Sequence, residues 1–545
     1  MFSDPILGED FFGREEVLSL LEKRVEAFQE GYKQNIAILG PELSGKTSLA
    51  YQFISRIASA KKLIPIYLAI HKTSFEEFIQ RFIGACLYGV YNNCEKNSTE
   101  NMDYDMLLMY TRQNFPKLAE AIAGIKNDVV EGYNERAFES VLELLNAIRG
   151  ETEKNIIMVM DEFHGLQDLR LSNPFLVLAD RIMVQKNIMY IIVSSKKIIA
   201  KEILSQKLSL LFGNFELIDL EPFCEQAARE FINRKLVDLE MSEHLASFLI
   251  YFTAGYPLYL DLITSKIRDI ANTENKNIVT VSCLSRSIEA IMFNSRGVAF
   301  QYYLNIINQL SNGRSWSYYL SILLAITHNN ISNREIARYL KKTTKEMSKH
   351  ISKLVEGGII IKCGSFYVFA DRMFSYWLKN VYAVRQATFL YDLQNLSKKF
   401  RRDLESYISF YISEIKKKKE DRILELFQMF GNDLVELDGR SFRLPQFSHV
   451  RLKSTKDGYP LITAQRQNKK WLCTFQDHTI SESKILNLID SIKQQKKEYN
   501  KKILIALNGM DINAKLYAKE ANIWLWDLKE INRVLEIYKK IHLLP

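Results

Sequence analysis

The stretch NIAILGPELSGKTSLAYQF, Asn35–Phe53, decides the fold. It joins a short apolar run, Asn35–Leu39, to a segment of helical periodicity through eight residues, GPELSGKT. A run of that length, continuously apolar, reads as a strand buried on both faces. Gly40 stands where the chain leaves the strand in a conformation that a Cβ would obstruct. Gly45 stands where backbone N–H groups must approach an anion closely. The helix that follows points its N-terminus at that anion. The spacing fits G-x-x-x-x-G-K-[ST], in which Lys46 reaches the β- and γ-phosphates and Thr47 ligates Mg²⁺. The expected nucleotide-binding set is Gly40, Pro41, Glu42, Leu43, Ser44, Gly45, Lys46, Thr47 and Ser48, with ATP and Mg²⁺ as the ligands.

Three further runs have the same character: IPIYLAI (64–70), NIIMVM (155–160) and IMYIIVS (188–194). Helical segments at 47–59, 75–91 and 137–149 separate them. Strand–helix alternation implies a parallel sheet covered by helices. The run NIIMVM ends in Asp161 and Glu162. A parallel sheet collects its ligands at the C-terminal ends of its strands. Asp161 is therefore expected to hold Mg²⁺ with Thr47. Glu162 is expected to be the catalytic base that orients and deprotonates water. Lys46 is expected to act on the phosphates, and Ser195, at the end of the last run, to sense the γ-phosphate.

The order of four segments carries a family resemblance. FFGREEVLSLL (11–21) precedes the phosphate loop, DEF (161–163) follows it, and FELIDLEPFCEQAAREFI (215–232) and TAGYPLYLDLI (253–263) come next. This order resembles the archaeal-type ATPases of the STAND branch of AAA+-like P-loop NTPases, over about residues 1–380. The resemblance implies that Gly13 and Arg14 lie near the adenine, and that the Gly255–Tyr256–Pro257 turn contacts the base, with Pro257 in the binding set. It also marks a departure. The family often carries Gly-Arg before the strand that leads into L-x-P-F, where this chain has Gly213–Asn214. An arginine finger is worth about 10³–10⁵ in rate. Slow hydrolysis is thus expected, with Arg170, Arg181 and Arg229 left as alternative sources of the missing charge.

Beyond Pro222 the pattern is helical to about 310. The segment ISNREIARYLKKTTKEMSKHISKLVEGGIII (331–361) then has the proportions of a helix-turn-helix and wing. Lys341, Lys342, Lys345, Lys349 and Lys353 lie on its outer side, which suits double-stranded DNA as well as a protein contact. The block from about 431 has the outline of a restriction-endonuclease-like fold, but its expected metal ligands are missing. Thr463 stands where the first acid belongs, and Thr474 and Gln476 where acid-x-Lys belongs. Neutral groups neither neutralise a dication nor act as base near neutral pH. A Mg²⁺-dependent nuclease, with Asp477 and His478 recruited by a register slip, is the alternative reading. The expected domains are a P-loop ATPase core (1–220), a helical lid (221–312), a winged helix (313–382), a basic helical linker (383–430) and an inactive nuclease-like domain (431–545).

The bulk numbers fit an α/β protein of several domains. Of 545 residues, 47% are hydrophobic and 25% charged, ordinary for globular chains. The net charge of +9 is uneven. Residues 381–545 hold 30 Lys+Arg against 20 Asp+Glu, whereas residues 1–380 hold 43 against 44. The C-terminal third is thus the part that attracts a polyanion. The six cysteines are dispersed without a CxxC pair, as expected of reduced thiols. The acidic N-terminus does not read as a signal peptide and no stretch reads as a membrane span, so a cytoplasmic location is expected. The overall expectation is a slow ATPase switch that binds ATP and ADP and couples nucleotide state to DNA or a protein partner. Its oligomeric state is open.

Overall fold

The computed structural model describes residues 4–58, 60–95, 102–208, 213–311, 315–329, 331–387, 392–437, 439–454, 460–467, 469–483, 485–486 and 499–544. The chain forms two compact units. The first comprises residues 1–231 together with 255–259, and the second residues 232–254 and 260–545.

The first unit is built on a five-stranded sheet of β1 (Asn35–Leu39), β2 (Leu63–Ala69), β3 (Asn155–Asp161), β4 (Ile188–Ser194) and β5 (Phe215–Asp219), in the order β2-β3-β4-β1-β5. Every pairing is parallel. Every residue of β1 and β4 is buried, which is why the sequence runs are apolar without alternation. One apolar layer packs Leu18, Leu21, Val25 and Phe28 of α1 (Glu15–Gln29) with Leu49 and Phe53 of α2 (Lys46–Ile57). The other face is covered by helices Phe75–Cys94, Asn134–Thr152 and Pro174–Val184, through residues such as Phe82, Phe138 and Leu178. Between Cys94 and Glu135 the described residues form two helices, Tyr104–Asn114 and Pro116–Val130.

The second unit carries helices Glu243–Thr253, Val281–Met292 and Val298–Ser311 and a short parallel pair, β6 (Glu240–Met241) with β7 (Ile278–Val279). Helices Trp316–Thr327, Asn333–Tyr339 and Thr344–Glu356 precede an antiparallel hairpin of β8 (Ile360–Cys363) and β9 (Phe366–Phe369). The second of these helices starts at a capping box between Ser332 and Glu335.

The segment expected to be a basic helical linker is helical over most of its described length and also buries an apolar face. Helix Leu393–Ile415 buries Phe400, Leu404, Ile408 and Tyr411, a stripe at helical spacing. Helix Lys419–Gln428 buries Ile423, Leu426 and Phe427. Arg422, 5% exposed, donates to the carbonyls of Ile541 and His542. Lysines around the break between these helices raise the charge of the stretch without removing its apolar face.

The last block holds a hairpin, β10 (Asp433–Leu437) with β11 (Arg440–Leu444), and a second five-stranded sheet. Its strands are β12 (His449–Ser454), β13 (Pro460–Arg466), β14 (Lys469–Gln476), β15 (Lys501–Ala506) and β16 (Ile523–Asp527), in sequence order. β12 to β14 are antiparallel, and β14 to β16 are parallel. The helix expected soon after Asp477 falls largely outside the described residues. Among the described residues no helix is long and apolar enough to cross a membrane.

Candidate nucleotide site

The phosphate loop runs from the end of β1 to the start of α2. Gly40 donates its N–H to the carbonyl of Ser194 at 3.2 Å. A Cβ at Gly40 would meet the Leu220 carbonyl oxygen at 2.2 Å, so close approach of two backbones fixes glycine there. Gly45 is required for a different reason. Its φ of +89° is left-handed, and it caps α2 without a side chain. The first-turn N–H groups of α2 are therefore not taken by a capping side chain. Leu43, with φ +63°, completes the turn of the loop.

Lys46 is 5% exposed and donates to the Pro41 carbonyl at 2.6 Å. Burial pushes its pKa down, and the carboxylates of Glu162, Asp161 and Glu42 oppose the shift. The Ser44 hydroxyl is buried with no hydrogen-bond partner. A buried ammonium folded back on its own loop, beside an orphaned hydroxyl, is the donor set that a phosphate satisfies. Glu42 forms an ion pair with Lys196 at 2.9 Å. The Ser48 hydroxyl, in the first turn of α2, accepts the Ile6 N–H at 3.1 Å.

β4 separates β1 from β3, yet the strand ends converge. The Thr47 hydroxyl donates to Asp161 Oδ2 at 2.8 Å. The Tyr67 hydroxyl, from β2, donates to the same oxygen at 2.8 Å, and the Glu162 N–H donates to Oδ1 at 2.9 Å. Asp161 is 3% exposed. A hydroxyl and a carboxylate at this distance form the hard-oxygen pair that suits Mg²⁺. Bound there, the ion would neutralise charge on the phosphates.

Glu162 follows with φ +54°. Its Oε2 accepts both the N–H and the hydroxyl of Ser195, each at 2.9 Å. Desolvation raises its pKa, partly offset by Lys46. His164 Nδ1 lies 2.9 Å from Ser194 Oγ and 3.3 Å from Glu162 Oε2. Burial holds this imidazole down at about 4, so it is neutral near pH 7.

Sequence reasoning missed Tyr67 and His164. Tyr67 sits inside the apolar run IPIYLAI, where its polar tip was the only signal. His164, three residues past Asp161, resembles an ordinary loop histidine until β4 is placed beside it.

The residues expected near the adenine come from distant segments. Gly13 and Arg14 both have left-handed backbones, with φ +67° and +68°. Arg14 stacks over the Phe223 ring at 4.9 Å and donates to the carbonyls of Ser44 and Glu221. Burial lowers its pKa. Phe223 donates its N–H to the Gly255 carbonyl at 3.0 Å, and a Cβ on Gly255 would strike the Phe223 oxygen. This close approach brings the Gly255–Tyr259 segment into the first unit, where Pro257 opens helix Pro257–Glu274.

Gly213–Asn214 lies at the opposite edge of the sheet. The Asn214 carbonyl accepts the N–H of Asn35, which begins β1. At about 3.3 Å per residue, an arginine there would stand roughly 16 Å from the loop of its own chain. Arg181 is tied to Glu143 and Glu139, and Arg229 to Glu225. Arg170 is exposed.

A parallel sheet with a phosphate loop after its first strand and a paired Thr–Asp at its C-terminal edge defines a P-loop ATPase. Residues 11–261 match the family model described as an ATPase domain predominantly from Archaea. This chain carries an archaeal-type P-loop ATPase domain and is an ATPase. Among solved structures, a Walker-type ATPase of Pyrococcus abyssi aligns with TM-score 0.50 and 18% identity, covering 69% of this chain and 99% of that one. The ORC1 protein of Aeropyrum pernix, in complex with DNA, aligns with TM-score 0.40 and 14% identity, covering 70% and 96%. No curated protein matches the sequence significantly.

Proposed function

We propose that this protein is a slow, ATP-driven switch whose nucleotide state controls binding to double-stranded DNA. The observation that carries it is the Thr47–Asp161 contact at 2.8 Å, which offers one Mg²⁺ ion to the phosphates held by Gly45 and Lys46. In this reading Glu162 is the base, Ser195 fixes its orientation, and Arg14, Phe223 and Pro257 receive the purine. Slow turnover follows from the absence of an arginine at Asn214 and from the pairing of Arg181 and Arg229 with carboxylates.

The DNA contact is assigned to helix Thr344–Glu356, as the recognition helix of a winged helix. Met347, Ile351 and Leu354 are buried, while Lys345, Lys349 and Lys353 are exposed one turn apart. Such a row meets phosphates of a major groove. The five-part division of the chain, with a lid at 221–312 and a winged helix at 313–382, belongs to this reading. The nuclease alternative is not favoured. The Thr474 hydroxyl is spent on the Pro460 carbonyl, and Asp477 pairs with Lys419 at 3.0 Å.

The test uses Glu162→Gln, which is expected to bind ATP normally and to lose about 10²–10⁴-fold in turnover. Duplex affinity is then compared for this variant with ATP, with ADP and without nucleotide. At least a fivefold spread is expected. Identical affinities would remove the coupling, and unchanged turnover would remove Glu162 as base.

A further inference from the structure

The C-terminal sheet presents a basic face that the ATPase reading does not use. β12 is an edge strand, and alternation turns His449, Arg451 and Lys453 to one side of it. The antiparallel register sets Gln465 opposite His449 and Thr463 opposite Arg451, and the next strand sets Lys470 opposite Gln465. These residues and Tyr499 line a concavity of about 150 Å³, with no carboxylate among the described residues that line it. Among the described residues, Arg451, Lys453 and Lys470 form no ion pair.

The same face is closed a few residues away. Leu461 and Leu472 pack there with Ala514 and Ala518 of helix Ile512–Glu520 and with Leu504. One half of the face is thus core, and the other half is open and cationic. Thr463, at the position a metal-binding acid would take, lies in the open half.

We propose that this face grips the phosphodiester backbone of a nucleic acid without cutting it. Alternate residues on a strand stand about 6.8 Å apart. That interval is close to the through-space separation of successive phosphates on one nucleic-acid strand. Arg451 supplies a planar fork for phosphate oxygens, and Lys453 and Lys470 supply point charges. The Tyr499 ring gives a neighbouring base a surface to stack on. Among the described residues that line the concavity no carboxylate is present to recruit a dication, so the strand is held and not hydrolysed.

The inference rests on the reading that this protein meets nucleic acid, and it assigns a surface separate from helix Thr344–Glu356. Charges on an edge strand also block edge-to-edge pairing, and the test separates the two roles. Anisotropy of a labelled 20-mer, single-stranded and duplex, is followed over a salt series in EDTA with the full chain. Arg451→Glu/Lys453→Glu/Lys470→Glu is compared with Lys345→Glu/Lys349→Glu, and the milder Arg451→Gln/Lys453→Gln guards against a folding defect.

The sheet variant is expected to bind at least tenfold more weakly and to lose about 2–3 from the slope of log K against log salt. The Gln variant is expected to lose about 2, with ATP binding unchanged in both. A larger loss on the single strand marks a strand-type ligand, and a larger loss on the duplex marks DNA lying across the sheet edge. Wild-type affinity in both sheet variants overturns the inference, and self-association with unchanged affinity assigns the charges to edge protection. If only the helix variant loses affinity, the DNA reading stands and this surface falls. If only the sheet variants do, the surface stands and the helix contact falls. A wild-type protein with no affinity at low salt ends both.

Discussion

Glu162 is tied to Ser195 twice, by the backbone N–H and by the hydroxyl, both at 2.9 Å and both on Oε2. One carboxylate oxygen is thus fixed to the end of β4, and under the proposed mechanism Oε1 is the atom that would take a proton from water. The strand that separates the phosphate loop from β3 therefore also sets the direction of the Glu162 carboxylate.

That relationship predicts a pH dependence. Desolvation raises the Glu162 pKa above the ordinary carboxylate range, and only the ionised form accepts a proton. Turnover is expected to fall with decreasing pH through this raised value, earlier than an exposed Glu would require. Ser195→Ala removes a hydrogen bond to the charged form, so the acid limb is expected to move to higher pH by about one unit. ATP affinity at pH 8 should stay within about twofold. A single-turnover pH profile checks this, and an unmoved limb would separate Ser195 from the base.

Tyr67 shares Asp161 Oδ2 with Thr47. Outer partners of a metal ligand typically account for about 10–100-fold in metal affinity. Tyr67→Phe is therefore expected to raise the Mg²⁺ concentration needed for half-maximal turnover about tenfold. Nucleotide binding in EDTA should be unchanged. A Mg²⁺ titration that overlays the wild type would make Tyr67 a packing residue only.

The two loop glycines are expected to fail in different ways. Gly40→Ala drives a Cβ into the Leu220 carbonyl, so the cost falls on folding, at about 1–3 kcal/mol. Gly45→Ala meets nothing within 4 Å but keeps a left-handed φ, which costs about 1–2 kcal/mol and shifts the N–H groups at the anion. Denaturant titrations with and without ATP distinguish them. Gly40→Ala should lose stability in both conditions, and Gly45→Ala chiefly the increment that ATP supplies. Equal profiles would contradict the assignment.

The phosphate loop and the acid pair were legible because their chemistry is contiguous in sequence. Gly40 to Thr47 lie in one turn, and Asp161 and Glu162 end one apolar run. Parallel pairing followed from unbroken apolar runs, but the order β2-β3-β4-β1-β5 did not, since periodicity carries no strand neighbours. Tyr67 and His164 escaped for that reason: each acts on a residue from another strand. β12 escaped because HVRLKS, although it alternates, is short, ends its apolar row at Ser454 and lies exposed on an edge, so only Val450 and Leu452 mark it. The stretch 383–430 was legible as helical, but its charge drew attention from the face formed by Phe400, Leu404, Ile408 and Tyr411, which is buried.

The central claim is that Gly45 and Lys46 grip a triphosphate whose metal ion is offered to Thr47 and Asp161. Calorimetric titration of ATP with Mg²⁺ into the wild type and into Lys46→Ala tests it most directly. Lys46→Ala is expected to lose at least about 100-fold in affinity, and with it the roughly 2.7 kcal/mol of stabilisation that ATP at 100 times its Kd supplies. A Lys46→Ala protein that binds and is stabilised by ATP as the wild type is would contradict the account.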